Sequence, residues 1–321
     1  MIDCGRRRRA LAVRFPTIRD LSRQRKISYM RIKGLMETTL GGPELDYAES
    51  QIRHAFPGDD SESDNETLED WCGDAVGCMV CLTPRSGSTY LTTLLESTGR
   101  FGVAREFMNL WDYKHNIGEM LGALLQIAPR DEPVFEEGIT TLTSYVKSAV
   151  QTSQDVEGVF VLKGDLYQFL PLFSRGWLHA GMRKIRFVYV TREDVLMQAI
   201  SLFRAIRGGA WSSEQRGARE VVFDRDGILD QFEYLVRMMN RWEILFSLLG
   251  IHPLRMTYEQ ISRDPAGAVR KIASFLGMKG LVDAGESALR RQRDAQSELW
   301  AAMIRAETAL ELRESSSHRK E

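Results

Sequence analysis

No stretch of this chain comes near the ~18 consecutive apolar residues that a membrane-crossing helix requires. The arginines before Ala10-Leu11-Ala12-Val13 imitate the start of a signal peptide, but Arg14 cuts the apolar part too short. Cysteine is scarce. The four present, Cys4, Cys72, Cys78 and Cys81, are too few to staple 321 residues, so a disulfide scaffold is excluded. Net charge is almost absent as well: 43 Lys and Arg against 44 Asp and Glu leave −1. That balance gives no global ground for a nucleic-acid partner, and none is expected. The location reads as cytoplasmic, with peripheral contact at the inner membrane face left open by a basic N-terminal arm.

That arm belongs to an extension, residues 1–75, which is read as partly disordered and outside the main domain. Eleven basic residues lie between Arg6 and Lys33, and an acidic excess follows, densest from Asp59 to Asp70. Helices are expected over Ile27 to Leu40 and Leu45 to Phe56, with a linker from Gly58 to Glu66. The main domain is set at 76–305, and 306–321 is a charged tail.

Within the main domain, Cys78 to Thr83 is an uncharged apolar run of strand length. Its CxxC has no second pair nearby, so Cys78 and Cys81 read as core residues rather than redox or zinc ligands. Pro84-Arg85-Ser86-Gly87-Ser88-Thr89 is a turn of small residues, and a helix begins at Tyr90 with Gly99 beyond its end. A loop delivered onto a helix N-terminus is a ready anion site, because free N–H groups and the helix dipole both face the ligand. Further strands are expected at Gly158 to Leu162, Ile185 to Thr191 and Pro253 to Tyr258, and a strand or turn at Arg100 to Ala104. Residues 110–155 read as helical with a loop at Pro129 to Pro133, and helices are also expected from Leu166, Asp194, Ile228 and Asp264. Strands alternating with helices predict an α/β fold: a central parallel sheet flanked by helices in three layers. Arg85, Glu106, Lys163, Arg192 and Glu259 all follow strand segments, where such sheets bind ligands.

A nucleoside-triphosphatase loop reads GxxxxGK[ST], with lysine on the terminal phosphates. Here Gly87 is followed by Ser88-Thr89, and Arg85 supplies the cation from the front of the loop. No acidic cluster calls for a metal, and none is expected to be required.

These segments resemble the bacterial trehalose-type carbohydrate sulfotransferases, a branch of the P-loop sulfotransferase superfamily with a nucleotide-kinase-like architecture. The resemblance spans about 77–305. It rests on Pro84 to Thr89, Arg105-Glu106-Phe107, Val159 to Lys163, Arg192 to Ala205 and Arg291 to Asp294 with Ser297 and Trp300. It implies a sulfuryl donor, 3′-phosphoadenosine 5′-phosphosulfate (PAPS), and a carbohydrate or glycolipid acceptor such as trehalose or a lipopolysaccharide sugar. By the same resemblance Arg85, Ser86, Gly87, Ser88 and Thr89 hold the 5′-phosphosulfate, and Arg192 with Ser201 holds the 3′-phosphate. Arg291 and Gln292 fall in a C-terminal loop over the nucleotide, and a homodimer is implied. Glu106, 21 positions beyond Arg85, matches the family's general base, and apolar neighbours surround it in sequence. Lys163 is open between a role on the sulfuryl oxygens and a structural ion pair; Trp211 is open between stacking on a ligand and core packing. A P-loop phosphotransferase or nucleotide hydrolase, and a non-catalytic nucleotide-binding protein on the same fold, are the alternatives.

Overall fold

The computed structural model describes residues 42–59, 67–112, 114–118, 120, 139–155, 158–178, 182–211, 219–280, 282 and 295–317. Four parallel strands form the sheet: β1 (Val76–Leu82), β2 (Val159–Asp165), β3 (Ile185–Thr191) and β4 (Leu254–Thr257), in the order β2-β1-β3-β4. The predicted α/β class with a parallel sheet is therefore the one observed. β1, β2 and β3 are buried on both sides along most of their length because helices cover both faces. Met79, Cys81, Phe160, Leu162, Phe187 and Tyr189 face one apolar cluster; Cys78, Val80, Val161, Val188 and Val190 face the other. Both CxxC cysteines are fully buried, and burial pushes the Cys78 thiol up to about 12. They are core residues, as read.

On the first face lie α1 (Gly42–Ala55), the short α2 (Leu68–Trp71), α4 (Leu142–Thr152), α5 (Leu166–Ser174) and the long α7 (Arg225–Leu249). On the second lie α3 (Ser88–Glu96), α8 (Tyr258–Arg263) and α9 (Pro265–Leu276). Helices α6 (Val195–Gly208) and α10 (Ala295–Ser317) make a third cluster with the N-terminal half of α7. The termini follow local chemistry. Asp194, Asp224 and Asp264 cap α6, α7 and α9 with their carboxylates, and Gly209, Gly250 and Gly277 end the same helices. Helix α1 belongs to the extension, yet Ala48, Ile52, Ala55 and Phe56 are buried in the first-face core.

The strand register sets the site. Leu82 stands beside Asp165 and Val190, and Thr191 stands beside Thr257, so all four strands end at one edge. At Gly77 an added Cβ would lie 2.4 Å from the Phe160 ring and 2.7 Å from the tip of Ile185, so a side chain there would displace those two buried residues. Arg100 to Ala104 forms no strand. Glu96 instead takes the Ala104 N–H (2.9 Å), and the chain meets the sheet only at Arg105, in a single parallel bridge to Leu162. The expectations for residues 27–40, 129–133 and 287–294 lie outside the described residues.

Trp242, fully buried on α7, donates its indole N–H to the Leu82 carbonyl at 2.9 Å and so holds the end of β1. Trp242→Ala should cost about 3–5 kcal/mol of stability. A urea unfolding curve would show it as a fall in midpoint at constant slope, and an unchanged midpoint would refute the anchoring role.

Candidate active site

The loop after β1 is held from below. Gln198 of α6, fully buried, donates to the Thr83 hydroxyl (2.8 Å) and the Pro84 carbonyl (2.7 Å). Ser86 donates its N–H to the Thr83 carbonyl (3.1 Å), and its side chain is enclosed beneath the loop, away from the cleft. Gly87 caps α3 at φ 85°, and a Cβ there would lie 2.4 Å from the Tyr258 ring. A side chain is excluded both by the backbone and by that ring. Arg85 is the one non-glycine with positive φ (65°) among the described residues. Such a conformation costs on the order of 1–3 kcal/mol and persists where surrounding contacts impose it. Here the contacts are Arg85 Nε to the Ser201 hydroxyl at 3.0 Å and its guanidinium to the Trp211 carbonyl.

A cleft of about 1080 Å³ opens over this edge of the sheet. Its walls differ in charge. At one end stand Arg85, Ser88, Thr89, Arg192, Ser201 and Tyr258. Burial, and then repulsion from Arg192, lower the Arg85 pKa from its ordinary value, so two guanidiniums share this end. Arg192 lies 5.3 Å from the Tyr258 ring centroid and 3.9 Å from the Glu259 carboxylate. The other group, joined by its own contacts, is Glu106, Asn109, Asp112, Asp165, Gln168 and Tyr234, and Gln231 also lines the cleft. This group carries carboxylates, amides and a phenol.

Glu106 sits where the two ends meet. The bridge at Arg105 brings it beside Lys163, whose Nζ lies 3.3 Å from one Glu106 oxygen and 3.2 Å from the Thr89 hydroxyl. Gln168 donates to the other Glu106 oxygen at 3.1 Å. The apolar neighbours read in sequence do not surround the carboxylate. Phe107 and Met108 turn into the core, and the Glu106 side chain is 41% exposed to the cleft. The turn behind it is rigid. Buried Asn116 donates to the carbonyls of Phe107 (3.2 Å) and Asn109 (3.1 Å). Lys163 does not follow its strand but lies within β2, and it is only 6% exposed. Arg105 pairs with Glu96 at 2.6 Å, leaving Glu106 to Lys163.

Trp211 is 51% exposed and lines the cleft, which overturns core packing for it. Arg291 and Gln292 lie outside the described residues. Gln168, Tyr258, Asp165 and Tyr234 gave no motif signal. None of them is singled out as a site residue in the sequence, and only the packing of their elements brings them to the cleft. Among the described residues no group of three or more His, Cys, Asp or Glu is arranged to hold a metal, and no helix is long and apolar enough to cross a membrane.

A parallel sheet whose strand ends present a tight loop, two arginines and a carboxylate defines an enzyme of group transfer between an anionic donor and a second substrate. The chain belongs to the Stf0 sulphotransferase family, whose model matches residues 77–307. It is a sulfotransferase, and the phosphotransferase and non-catalytic readings give way. It is 27% identical over 256 residues to a trehalose 2-sulfotransferase of Mycobacterium tuberculosis (strain ATCC 35801 / TMC 107 / Erdman), covering 71% of this chain and 94% of that protein. It is 23% identical over 255 residues to a trehalose 2-sulfotransferase of Mycolicibacterium smegmatis (strain ATCC 700084 / mc(2)155), covering 71% and 93%.

Asp165 yields a pH prediction. Burial first, and then the neighbouring Glu106, push its carboxyl from an ordinary 3.8 up to about 6, against the lowering effect of the N–H groups it caps. Because the folded value is the higher one, this group's stabilising contribution is full below about pH 4 and is lost as pH rises through about 6. Asp165→Asn keeps a capping side chain but cannot ionise. Its melting temperature relative to wild type should therefore rise between pH 4 and pH 7, and a constant difference would contradict the assignment.

Proposed function

We propose that the chain transfers a sulfuryl group from PAPS to a hydroxyl of a carbohydrate acceptor, with Glu106 as general base. The observation that carries this reading is the two-ended cleft, cationic on one side and lined by carboxylates and amides on the other, with Glu106 at the junction. When bound, PAPS supplies an activated S–O bond with an anionic leaving group. The residues fit such a donor. The Gly87–Thr89 helix start offers N–H groups, and Arg85, Arg192 and Ser201 crowd cationic and hydroxyl donors together at a cost in mutual repulsion that a bound polyanion relieves. A polyhydroxyl acceptor suits the other end, where Asn109, Asp112, Gln168 and Gln231 offer alternating donors and acceptors. The relatives' names, both trehalose 2-sulfotransferase, agree with a sugar there.

In the reaction Glu106 accepts the proton of the acceptor hydroxyl as the new O–S bond forms and the bond to the 5′-phosphate breaks. A positioned base of this kind contributes about 10²–10⁴-fold. Gln168 and Lys163 hold its two oxygens apart in fixed directions. Lys163, also on Thr89, stands beside the anion loop and can follow the shift of negative charge toward the leaving group. Arg85 and the loop N–H groups stabilise the charge that the 5′-phosphate gains. Arg192, beside the Tyr258 ring at the cationic end, takes the 3′-phosphate.

Two variants test this. Glu106→Gln should lower kcat by about 10²–10⁴-fold and leave affinity for desulfated 3′-phosphoadenosine 5′-phosphate within twofold in calorimetry; retained turnover removes Glu106 as base. Arg192→Ala should weaken that nucleotide by roughly ten- to a hundredfold and leave 5′-AMP nearly unaffected. Equal losses on both nucleotides would move the 3′-phosphate elsewhere.

A further inference from the structure

The family match begins at residue 77, yet α1, upstream of it, packs against α5 and the segment Leu110–Asp112, both of which carry cleft-lining residues. Its buried side faces the core through Ala48, Ile52 and Ala55. On its outer side Tyr47 and His54 are seven residues apart, two helical turns, and so share one face. Both meet Trp111. The His54 and Trp111 rings are 4.5 Å apart, and the Trp111 indole N–H donates to the Tyr47 hydroxyl at 3.1 Å. Tyr47 also packs edge-on against Tyr167 at 5.6 Å, whose hydroxyl accepts from Arg241 at 2.6 Å. Two of these rings are nevertheless open to solvent, Tyr47 at 41% and Trp111 at 45%.

This patch adjoins the acceptor end of the cleft: burial first, and then Asp165, Tyr167 and Tyr47, raise the pKa of Tyr234, which lines that end. Trp111 precedes Asp112 and Tyr167 precedes Gln168, both of which line it. The pattern is selective about what it suits. A lipid tail is matched by aliphatic side chains, whereas these partly exposed rings carry N–H and O–H groups at their edges. A sugar ring has the complementary surface, with apolar C–H faces and a rim of hydroxyls. The cleft itself ends in amides and carboxylates that suit the sugar being modified.

We propose that Tyr47 and Trp111 form a second sugar subsite, which receives the ring of a disaccharide acceptor that does not carry the reacting hydroxyl. This rests on the carbohydrate-acceptor reading above, and it gives the extension a part in choosing the acceptor. Neither residue is a catalytic one; both act on binding alone.

The test uses the full-length chain with PAPS and two probe acceptors, trehalose and glucose. Tyr47→Ala and Trp111→Ala should each raise the KM for trehalose about tenfold, with kcat, the KM for PAPS and the KM for glucose within twofold. Tyr47→Phe, which keeps the ring, should lose less than Tyr47→Ala. Trehalose affinity without PAPS, measured by calorimetry, should fall in parallel. An unchanged trehalose KM in both alanine variants overturns the subsite while sulfuryl transfer stands. A wild type that binds trehalose, weakens on Tyr47→Ala and transfers nothing overturns the reaction while the subsite stands. A loss seen only with a long-chain alkyl glucoside, and not with trehalose, assigns the patch to a lipid tail and overturns the proposal.

Discussion

The Lys163 ammonium is the contact on which the arrangement of the cleft depends. It is almost fully buried, it donates to Thr89 at the start of α3, and it holds Glu106 on the opposite wall. A buried ammonium without partners would be expelled or neutralised. With a hydroxyl and a carboxylate in reach it is instead a tie between the loop after β1 and the turn after Arg105. The tie exists because β2 is in register with β1: Lys163 stands opposite Val80, two residues before the strand ends, with its side chain at the level of the loop. A slip of one residue would send that side chain to the other face of the sheet.

Around this tie the molecule concentrates what a stable fold ordinarily avoids. Arg85 holds positive φ, two guanidiniums adjoin, and the Asp165 carboxyl is enclosed near a second carboxylate. None of these is stabilising alone. They persist because their surroundings are rigid: Gln198 beneath the loop, Trp242 on the end of β1, and Asn116 behind Glu106. Local cost at a site, offset by a well-packed frame, is the usual condition of a preorganised active centre.

Much of this was legible in the sequence, for identifiable reasons. Strands of a parallel sheet are buried on both faces, so Val76–Leu82 and Ile185–Thr191 stand out as apolar runs, and Asp-capped helices announce their starts. The loop after β1 is legible because its residue types are constrained locally. Arg100 to Ala104 left strand and turn both open because it looks apolar and short, while its conformation depends on Glu96, on the neighbouring helix. Apolar neighbours suggested an enclosed Glu106, but adjacent residues in an irregular turn face different ways, and Lys163 lies far off in sequence. Tyr47 carried no signal at all. It is ordinary on an amphipathic helix, and only the packing of α1 against the segment at Leu110–Asp112 brings it to Trp111.

Helix α7 joins two duties that other folds separate. Trp242 fastens it to the end of β1, and Tyr234, eight residues earlier, lines the cleft. At about 1.5 Å per residue the two points are roughly 12 Å apart on one straight rod. That wall therefore cannot be reshaped by sliding the helix without loosening the strand that bears the anion loop. The side chains with which this helix lines the cleft, Gln231 and Tyr234, can by contrast be exchanged singly with the backbone left where it is. The part of the enzyme that defines its chemistry is thereby mechanically shielded from the part that evolution is free to edit.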